Sequence, residues 1–243
     1  MIWIIGGTSN ANDIAQLLVE KNQRVVISVT TGYGRELVEK LGCDVIQDVL
    51  DAEKMQLFIE KHEVSLIIDA SHPFATEVSK TAMEIASQCQ LKYIRFERPT
   101  PVFEKARYVE SYEAAVDYLK NTQGNVLITT GSKFCGKYCT LNMERLFVRV
   151  LSTPESVGQC TKAGYKPYQI VTMTGVLSVQ ENLKFMREND IRFLVTKDSG
   201  SEGGLPEKIA AAEAGGAEVL IISRPRLQYP VVFSDYNELA ELV

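Results

Sequence analysis

The start of the chain joins a buried strand to a helix through a glycine turn. The hydrophobic run from Ile2 to Ile5 breaks at Gly6-Gly7-Thr8-Ser9, and small or apolar residues then recur at helical spacing. Strand, glycine turn and helix in this order are typical of a parallel α/β unit. The sequence therefore predicts a parallel sheet covered by helices.

The same turn is a candidate phosphate site. Adjacent glycines let a phosphate approach the backbone closely, and the free N–H groups of the first helical turn carry partial positive charge. The turn lacks the full GxGxxG spacing of a dinucleotide fingerprint. A plain connector, with Ser9 or Asn10 as the helix cap, is the alternative. The turn alone does not decide between them.

Composition limits the classes of partner. The chain has 243 residues and a formal net charge of −5, which disfavours non-specific attraction to nucleic acid or acidic membranes. No apolar stretch approaches the roughly twenty residues of a membrane span, and the sequence opens directly on its first strand rather than on a signal peptide. We expect a cytoplasmic protein with no nucleic-acid or membrane partner. The oligomeric state is left open.

The five cysteines include no CxxC pair, and buried free thiols are expected. Cys135 and Cys139 are four residues apart, so a helix would place them on one face. His62 and His72 are the two histidines available to complete a metal site, and zinc sites normally show tighter ligand clusters. We therefore expect no metal.

Strand and helix patterns alternate along the chain. After the opening run, the first strand candidates are residues 25–29, 44–46, 66–69 and 93–96. The alternation stops around Arg98-Pro99-Thr100-Pro101, because proline removes a backbone donor and biases the preceding residue toward extended geometry. A second series has strands at residues 126–129, 146–151, 169–173, 193–196 and 219–223, and a short helix follows Ser234.

These patterns predict an α/β protein with two Rossmann-like parallel-sheet domains and a cleft between them. The N-terminal domain would comprise residues 1–98 and the C-terminal domain residues 99–243. In open α/β sheets, ligands bind beyond the carboxyl ends of the strands. The residues that follow each strand are therefore the candidates for a functional site.

Small, hydroxylated and basic residues gather after the strands of both predicted domains. In the first domain they lie in segments 6–9, 30–35, 71–74 and 95–99, and in the second in segments 129–133, 173–175, 196–200 and 223–225. Singly, each is most simply a helix cap, a turn residue or a solvated charge. Their coincidence at strand ends favours a site for a large polyanion.

In this combination the chain resembles the precorrin-6A reductases, including the cobalt-precorrin-6A reductases of the anaerobic cobalamin route. The resemblance spans nearly the whole chain in the right order. It departs from the family at Asn10-Ala11-Asn12 and within residues 31–35. The segments that carry it are Gly6-Gly7-Thr8, Asp69-Ala70-Ser71-His72-Pro73-Phe74-Ala75, Arg95-Phe96-Glu97-Arg98-Pro99, Thr129-Thr130-Gly131-Ser132 and Thr196-Lys197-Asp198-Ser199-Gly200.

The resemblance implies an oxidoreductase of cobalamin biosynthesis, with NADPH or NADH on the first domain. Its substrate would be precorrin-6A or cobalt-precorrin-6A, a large anionic, tetrapyrrole-derived macrocycle. One carbon of a double bond would receive hydride and its neighbour a proton. Lysine and arginine donors suit such a substrate, because carboxylates accept charge-assisted hydrogen bonds. A metal or a nucleophile is not required.

Site roles follow as hypotheses. For the cofactor, the pyrophosphate is assigned to Gly6, Gly7, Thr8, Ser9 and Asn10, the adenosine ribose to Thr31, Tyr33 and Arg35, and the nicotinamide side to Ser71, His72 and Pro73. For the substrate, the candidates are Arg95, Arg98, Thr130, Gly131, Ser132, Lys133, Lys197, Ser199 and Arg224, with Asp198 beside them. The catalytic candidates for proton donation are Lys197, Asp198 and Lys133, with solvent or the substrate's own carboxylic acids as alternatives.

The choice of nucleotide stays open at this point. The second strand lacks the terminal Asp or Glu that would bind a free ribose 2′-hydroxyl. Arg35 would suit a 2′-phosphate, which favours NADPH. The anaerobic branch of the resembling family is associated with NADH instead.

Two other classes share the opening turn. One is an NAD(P)-dependent dehydrogenase or epimerase of small molecules, although the YxxxK helix usual for that class is not evident at the expected place. The other is a non-catalytic dinucleotide sensor, which would bind cofactor without turnover. A methyltransferase of the same route is a further alternative, and it would show no dependence on a reductant.

Overall fold

The computed structural model describes residues 1–99, 101–200 and 203–242, with the backbone but not the side chain of Tyr33. The strands are β1 (Ile2–Ile5), β2 (Val25–Val29), β3 (Asp44–Gln47), β4 (Leu66–Asp69), β5 (Lys92–Phe96), β6 (Arg107–Val109), β7 (Asn125–Ile128), β8 (Leu146–Leu151), β9 (Ile170–Met173), β10 (Ile191–Lys197), β11 (Glu218–Ile222) and β12 (Val232–Phe233). The α-helices are α1 (Ser9–Glu20), α2 (Gly32–Val38), α3 (Ala52–His62), α4 (Thr76–Gln88), α5 (Tyr112–Lys120), α6 (Pro154–Lys162), α7 (Val179–Glu188), α8 (Leu205–Gly215) and α9 (Tyr236–Glu241).

The chain divides into two compact units. The first comprises Met1–Pro99 and Pro225–Val243, and the second comprises Thr100–Arg224. Each contains a six-stranded sheet, ordered β12-β5-β4-β1-β2-β3 in the first unit and β6-β11-β10-β7-β8-β9 in the second. All strand pairs are parallel. The predicted α/β class with two parallel sheets is confirmed.

The predicted extent of the second domain, residues 99–243, needs a correction at its C-terminal end. Strand β12 pairs with β5 of the first unit, with Val232 opposite Arg95 and Phe233 opposite Phe96. Helix α9 buries Leu239 in the same core as β1 and β2. The chain therefore returns to the first unit after Arg224, because that unit's sheet edge and core receive the segment's apolar residues.

Both faces of the first sheet are covered, which is why its central strands β1, β2 and β4 are buried and almost entirely apolar. One core contains Ile4, Ile27 and Ile68, and the other contains Trp3 and Ile67. Odd and even residues of one strand thus enter different cores, as the two-residue period of a strand requires. Within the described ranges, no helix combines the length and apolar composition needed to span a bilayer.

Candidate active site

The glycine turn lies at the topological switch point of the first sheet. From β1 the chain continues to β2 on one side, while β4 lies on the other. Thr8 bridges this point, because its Oγ1 donates to the carbonyl oxygen of Ala70 at 2.7 Å and accepts from the amide of Ala11 at 3.2 Å. Thr8 is therefore the N-cap of α1, a position that the sequence had suggested for Ser9 or Asn10. Ligands of open α/β sheets bind at such a point.

Gly6 and Gly7 are each required to be glycine, but for different physical reasons. A Cβ on Gly6 would lie 2.8 Å from Ile27 Cγ1 and 2.9 Å from the carbonyl oxygen of Ser28, so packing against β2 excludes a side chain. Gly7 has φ of +99°, which L-residues rarely adopt, and no atom lies within 4 Å of where its Cβ would be. Gly7 thus leaves open space at the start of α1, where a phosphate would fit.

Two other predicted cofactor residues lie at the neighbouring end of β2. Thr31 is the N-cap of α2, and its hydroxyl accepts from the amide of Gly34 at 3.1 Å. Arg35 is half-exposed and forms an ion pair with Glu39 at 2.6 Å. The side chain of Tyr33 lies outside the described part of the chain. An anion that binds Arg35 therefore has to displace Glu39. Because this ion pair is exposed to solvent, it contributes little stability, and its loss costs little.

The segment after β4 is fixed by a buried ionic network. The carboxylate of Asp69 accepts from the Ser71 amide at 2.9 Å, from Ser79 Oγ at 2.5 Å and from the Tyr93 hydroxyl at 2.6 Å. Arg95 Nη1 completes the set at 3.0 Å. Burial, with the charge of Asp69, raises the pKa of Tyr93 far above its ordinary value. These contacts orient the backbone of Ser71 immediately before His72.

The predicted substrate contact of Arg95 needs a correction. Its side chain is 1% exposed, and its nitrogens are engaged by Asp69, by Ser71 Oγ at 3.3 Å and by Glu97 Oε2 at 3.1 Å. The ring of Tyr229 lies 5.3 Å from the guanidinium carbon. An arginine held in this way positions the β4 segment and does not present a donor to a ligand.

His72 and Pro73 follow the ordered network. The His72 Nδ1 accepts from the amide of Phe74 at 3.2 Å, so the ring proton of the neutral imidazole resides on Nε2. Both residues are half-buried. This arrangement places the His72 ring at the carboxyl end of β4, on the side of the switch point opposite to β2.

Tyr236 in the C-terminal segment contacts two of the candidate residues, and the sequence analysis did not single it out. Its hydroxyl donates to Asn10 Oδ1 at 2.9 Å and lies 2.7 Å from Asp13 Oδ2. The guanidinium of Arg98 lies 4.3 Å from the Tyr236 ring centroid, and its Nη2 lies 3.8 Å from Asp13 Oδ2. Tyr236 therefore contacts both Asn10 and Arg98 near the start of α1 although it lies more than one hundred positions from either in the chain, and no local sequence pattern predicts such a contact.

In the second unit, the predicted residues surround the corresponding switch point between β7 and β10. Thr130 follows β7 and is buried, and its Oγ1 has no hydrogen-bond partner among the described residues. Gly131 has φ of +88° and precedes the 3-10 helix that begins at Ser132. Ser199, after β10, is half-buried. Hydroxyl groups from two neighbouring strand ends thus lie at one edge of the sheet.

The basic residues at this edge differ in environment. Burial, together with the positive charge of Lys133, lowers the pKa of Lys197 from its ordinary 10.5 to about 8. Lys133 itself is exposed. Arg224 Nε donates to the carbonyl oxygen of Asp198 at 3.2 Å and lies 3.4 Å from Asp198 Oδ2. Lys197 and Lys133 therefore act on each other electrostatically, whereas Asp198 is neutralised by Arg224.

Two further cations at this end of the second unit were not predicted. Arg149 lies in the otherwise apolar strand β8 and is 3% exposed. Lys208 lies in the first turns of α8. The sequence did contain a signal for Arg149, since an arginine within a run of apolar strand residues predicts a buried charge. Among the described residues, no group of three or more His, Cys, Asp or Glu is placed to hold a metal ion.

Comparison with known proteins adds independent findings. The sequence matches the family model described as "Precorrin-6x reductase CbiJ/CobK" over residues 1–243. It is 35% identical to the cobalt-precorrin-6A reductase of Methanococcus maripaludis, over 98% of this chain and 96% of the relative. It is 32% identical to the protein of the same name from Methanocaldococcus jannaschii, over 100% of this chain and 97% of the relative.

A solved structure has the same fold. The chain described as "CobK precorrin-6A reductase" matches with a TM-score of 0.83, covering 99% of this chain and 95% of that chain, at 22% sequence identity. At this identity the match supports the fold and not the details of a site.

Proposed function

The chain belongs to the precorrin-6x reductase family, and we propose that it reduces a carbon–carbon double bond of cobalt-precorrin-6A. The observation that carries this proposal is the match of the whole chain, residues 1–243, to the family model. The family comprises NAD(P)H-dependent oxidoreductases of cobalamin biosynthesis. We choose the cobalt-bearing substrate because the two relatives above are named for it. A whole-chain match favours this reaction over a small-molecule dehydrogenase, an epimerase or a sensor.

The first unit is the proposed binding site for the reduced nicotinamide dinucleotide, which supplies the hydride. The open space at Gly7 and the start of α1 at the switch point suit its pyrophosphate. Thr31 and Arg35 at the end of β2 are placed for the adenosine ribose. Ser71, His72 and Pro73, whose backbone the Asp69 network orients, are placed for the nicotinamide side. The residues proposed to complete the pyrophosphate site are Gly6, Thr8, Ser9 and Asn10, and Tyr33 is proposed for the ribose.

The second unit is the proposed site for the macrocycle's carboxylates. Lysine and arginine form charge-assisted hydrogen bonds with carboxylates, and hydroxyl groups at the strand ends add neutral donors. Arg98 of the first unit is a further candidate for a carboxylate, because its cationic side chain is partly exposed. The second-unit residues in this proposal are Thr130, Gly131, Ser132, Lys133, Lys197, Ser199 and Arg224.

Reduction also requires a proton at the carbon next to the one that receives hydride. Of the three candidate proton donors, Lys197 has the most suitable acidity, because its pKa of about 8 lies near neutral pH. Asp198 is paired with Arg224 as a carboxylate. Lys133 is exposed to solvent. We therefore propose Lys197 first as an electrostatic partner of the substrate and second as its proton source.

A cytoplasmic location is part of the same proposal. Cys43, Cys89, Cys135, Cys139 and Cys160 are all free thiols in the structure. Free cysteines are typical of reducing compartments.

Anaerobic incubation with the macrocycle is the direct test of this function. With NADH or NADPH present, the absorption of cobalt-precorrin-6A is expected to shift, since reduction of one double bond shortens the conjugated system. Omission of the dinucleotide is the control, and metal-free precorrin-6A provides the comparison for substrate choice. If neither macrocycle changes its spectrum with either dinucleotide, the proposed function is wrong.

Replacing Arg35 with alanine tests the adenosine end. If Arg35 binds a 2′-phosphate, the dissociation constant for NADPH is expected to rise about tenfold, in line with one charge-assisted hydrogen bond, while that for NADH stays unchanged. Glu39→Gln releases Arg35 from its ion pair and is expected to tighten NADPH binding. Lys40→Ala, which removes an exposed charge nearby, is the matched control. Equal changes for both dinucleotides after Arg35→Ala would remove the 2′-phosphate role.

A further inference from the structure

The second unit buries an arginine at the carboxyl end of its sheet. Strand register pairs Ile128 of β7 with Val148 of β8 and with Val195 of β10. Arg149 and Thr196, the residues that follow in each strand, therefore lie on one level and share a face of the sheet. Two residues earlier, Phe147 on that face packs in the core that includes α7 and α8. Arg149 is thus located under these two helices.

The guanidinium of Arg149 is only partly satisfied. Its Nη1 donates to Asn182 Oδ1 of α7 at 2.5 Å. Its Nε and Nη2 are buried without a hydrogen-bond partner within the described ranges, as is Thr196 Oγ1. No carboxylate among the described residues forms an ion pair with it. Its guanidinium carbon lies 5.8 Å from the centroid of the Phe185 ring, which compensates the charge only in part. A buried charge without an ion-pair partner is expensive, and native proteins rarely retain one without a function.

A second cation increases the positive charge at this position. Lys208 of α8 donates to the carbonyl oxygen of Gly203 at 2.6 Å. Burial, and then the charges of Arg149 and Lys197, lower its pKa to about 8, against the opposing effect of Glu207. Helix α8 also begins without a side-chain cap, so its first N–H groups add partial positive charge. Mutual repulsion among cations is relieved when an anion binds between them.

We propose that Arg149, Thr196 and Lys208 form a buried anion pocket that receives one carboxylate of the macrocyclic substrate. This inference rests on the proposed function for the identity of the anion. The two orphaned nitrogens of Arg149 match the bidentate geometry of a carboxylate. Thr196 supplies a hydroxyl donor, and Lys208 supplies the second charge. The pocket selects for a substrate with a carboxylate arm at this position.

Stability and binding should respond to Arg149→Met in opposite directions. Removal of a buried, unpaired charge by an apolar side chain of similar length is expected to raise the melting temperature of the unliganded protein. The same variant is expected to weaken macrocycle binding at least tenfold, measured by absorption titration without dinucleotide. Lys208→Met should weaken binding in the same direction. Lys162→Met, which removes an exposed lysine, should change neither quantity.

Two results would contradict the proposed anion pocket. If Arg149→Met lowers the melting temperature and leaves the macrocycle dissociation constant unchanged, Arg149 is a structural residue held by Asn182. If the wild-type protein binds and reduces the macrocycle and Arg149→Met binds it equally well, the pocket is wrong while the proposed function stands.

Succinate, a small dicarboxylate, tests the anion pocket independently of the proposed function. The Arg149 Nε–H resonance, identified by its absence in Arg149→Met, is expected to shift when succinate is added to the wild-type protein. Such a shift in a protein that fails to reduce the macrocycle would keep the anion pocket and reject the proposed function. A shift with inorganic phosphate but none with succinate would contradict the carboxylate assignment, and no shift with either would contradict the pocket.

Discussion

Replacing Asp69 with alanine is expected to lower the free energy of unfolding of the first unit by about 3–5 kcal/mol, the usual cost of leaving a buried ion pair half-removed. The Asp69 carboxylate is fully buried and binds Arg95, Tyr93 and Ser79. Its loss leaves the Arg95 cation buried with Glu97 as its one carboxylate partner among the residues that the structure describes. Trp3 is the single tryptophan and lies in this unit's core, so denaturation followed by its fluorescence reports on the relevant unit.

Two variants serve as controls for the Asp69 substitution. Asp48→Ala breaks the exposed pair with Lys54, and it should leave the unfolding midpoint unchanged within error because exposed pairs contribute little. The double variant Asp69→Asn with Arg95→Met should recover much of the lost stability, since neither charge of the fully buried pair remains and Glu97, which loses Arg95 as a partner, is partly exposed. An Asp69→Ala midpoint as close to wild type as that of Asp48→Ala would show that the network does not stabilise the first unit.

The contrast between Gly7 and Arg95 shows which site features the sequence makes predictable. The glycine turn is local, because strand, turn and helix are adjacent in the chain and their geometry follows from a few residues. The accessibility of Arg95 depends instead on Asp69, twenty-six positions away, and on Tyr229 near the other end of the chain. Sequence alone identified the basic residue and could not determine whether its charge was already paired.

The C-terminal segment was mispredicted for a related reason. Strand β12 has two residues, Val232 and Phe233, too few for a periodic signal. It completes a sheet whose neighbouring strand, β5, ends at Phe96. The sequence analysis assigned the segment to the nearer domain because chain proximity was the available guide. Tyr236 and its contact with Asn10 were lost with that assignment.

Lys197 is expected to make substrate binding depend on pH. At pH 7, below its pKa of about 8, Lys197 is mostly protonated, and in the proposed site this positive charge attracts the macrocycle's carboxylates. Substrate binding is therefore expected to weaken as the pH rises from 7 to 9, because the neutral amine loses this attraction. Lys197→Met should raise the substrate dissociation constant about 10- to 100-fold at pH 7, the range of a hydrogen bond to a charged group. It should also reduce the dependence on pH to the part that Lys208, with its own pKa of about 8, contributes.

The rate of reduction in Lys197→Met distinguishes the two roles proposed for Lys197, electrostatic binding of the substrate and donation of the proton. At saturating macrocycle and dinucleotide, a single-turnover rate unchanged in Lys197→Met would limit Lys197 to electrostatic capture. A fall of about 10²- to 10⁴-fold would assign it the proton as well. Lys197→Arg, which stays charged throughout this range, should retain binding and flatten the pH profile.

Two neighbouring lysines determine whether the pH profile belongs to Lys197. Lys133→Met removes a positive charge that lowers the pKa of Lys197, so the weakening of binding should begin at higher pH. Lys208 has a pKa of about 8 for similar reasons. If Lys197→Met leaves the profile and the dissociation constant at pH 7 unchanged while Lys208→Met removes the profile, the titrating group is Lys208, and the electrostatic capture assigned to Lys197 is wrong. Comparison of the pH profiles of Lys197→Met and Lys208→Met thus identifies which lysine accounts for the pH dependence of substrate binding.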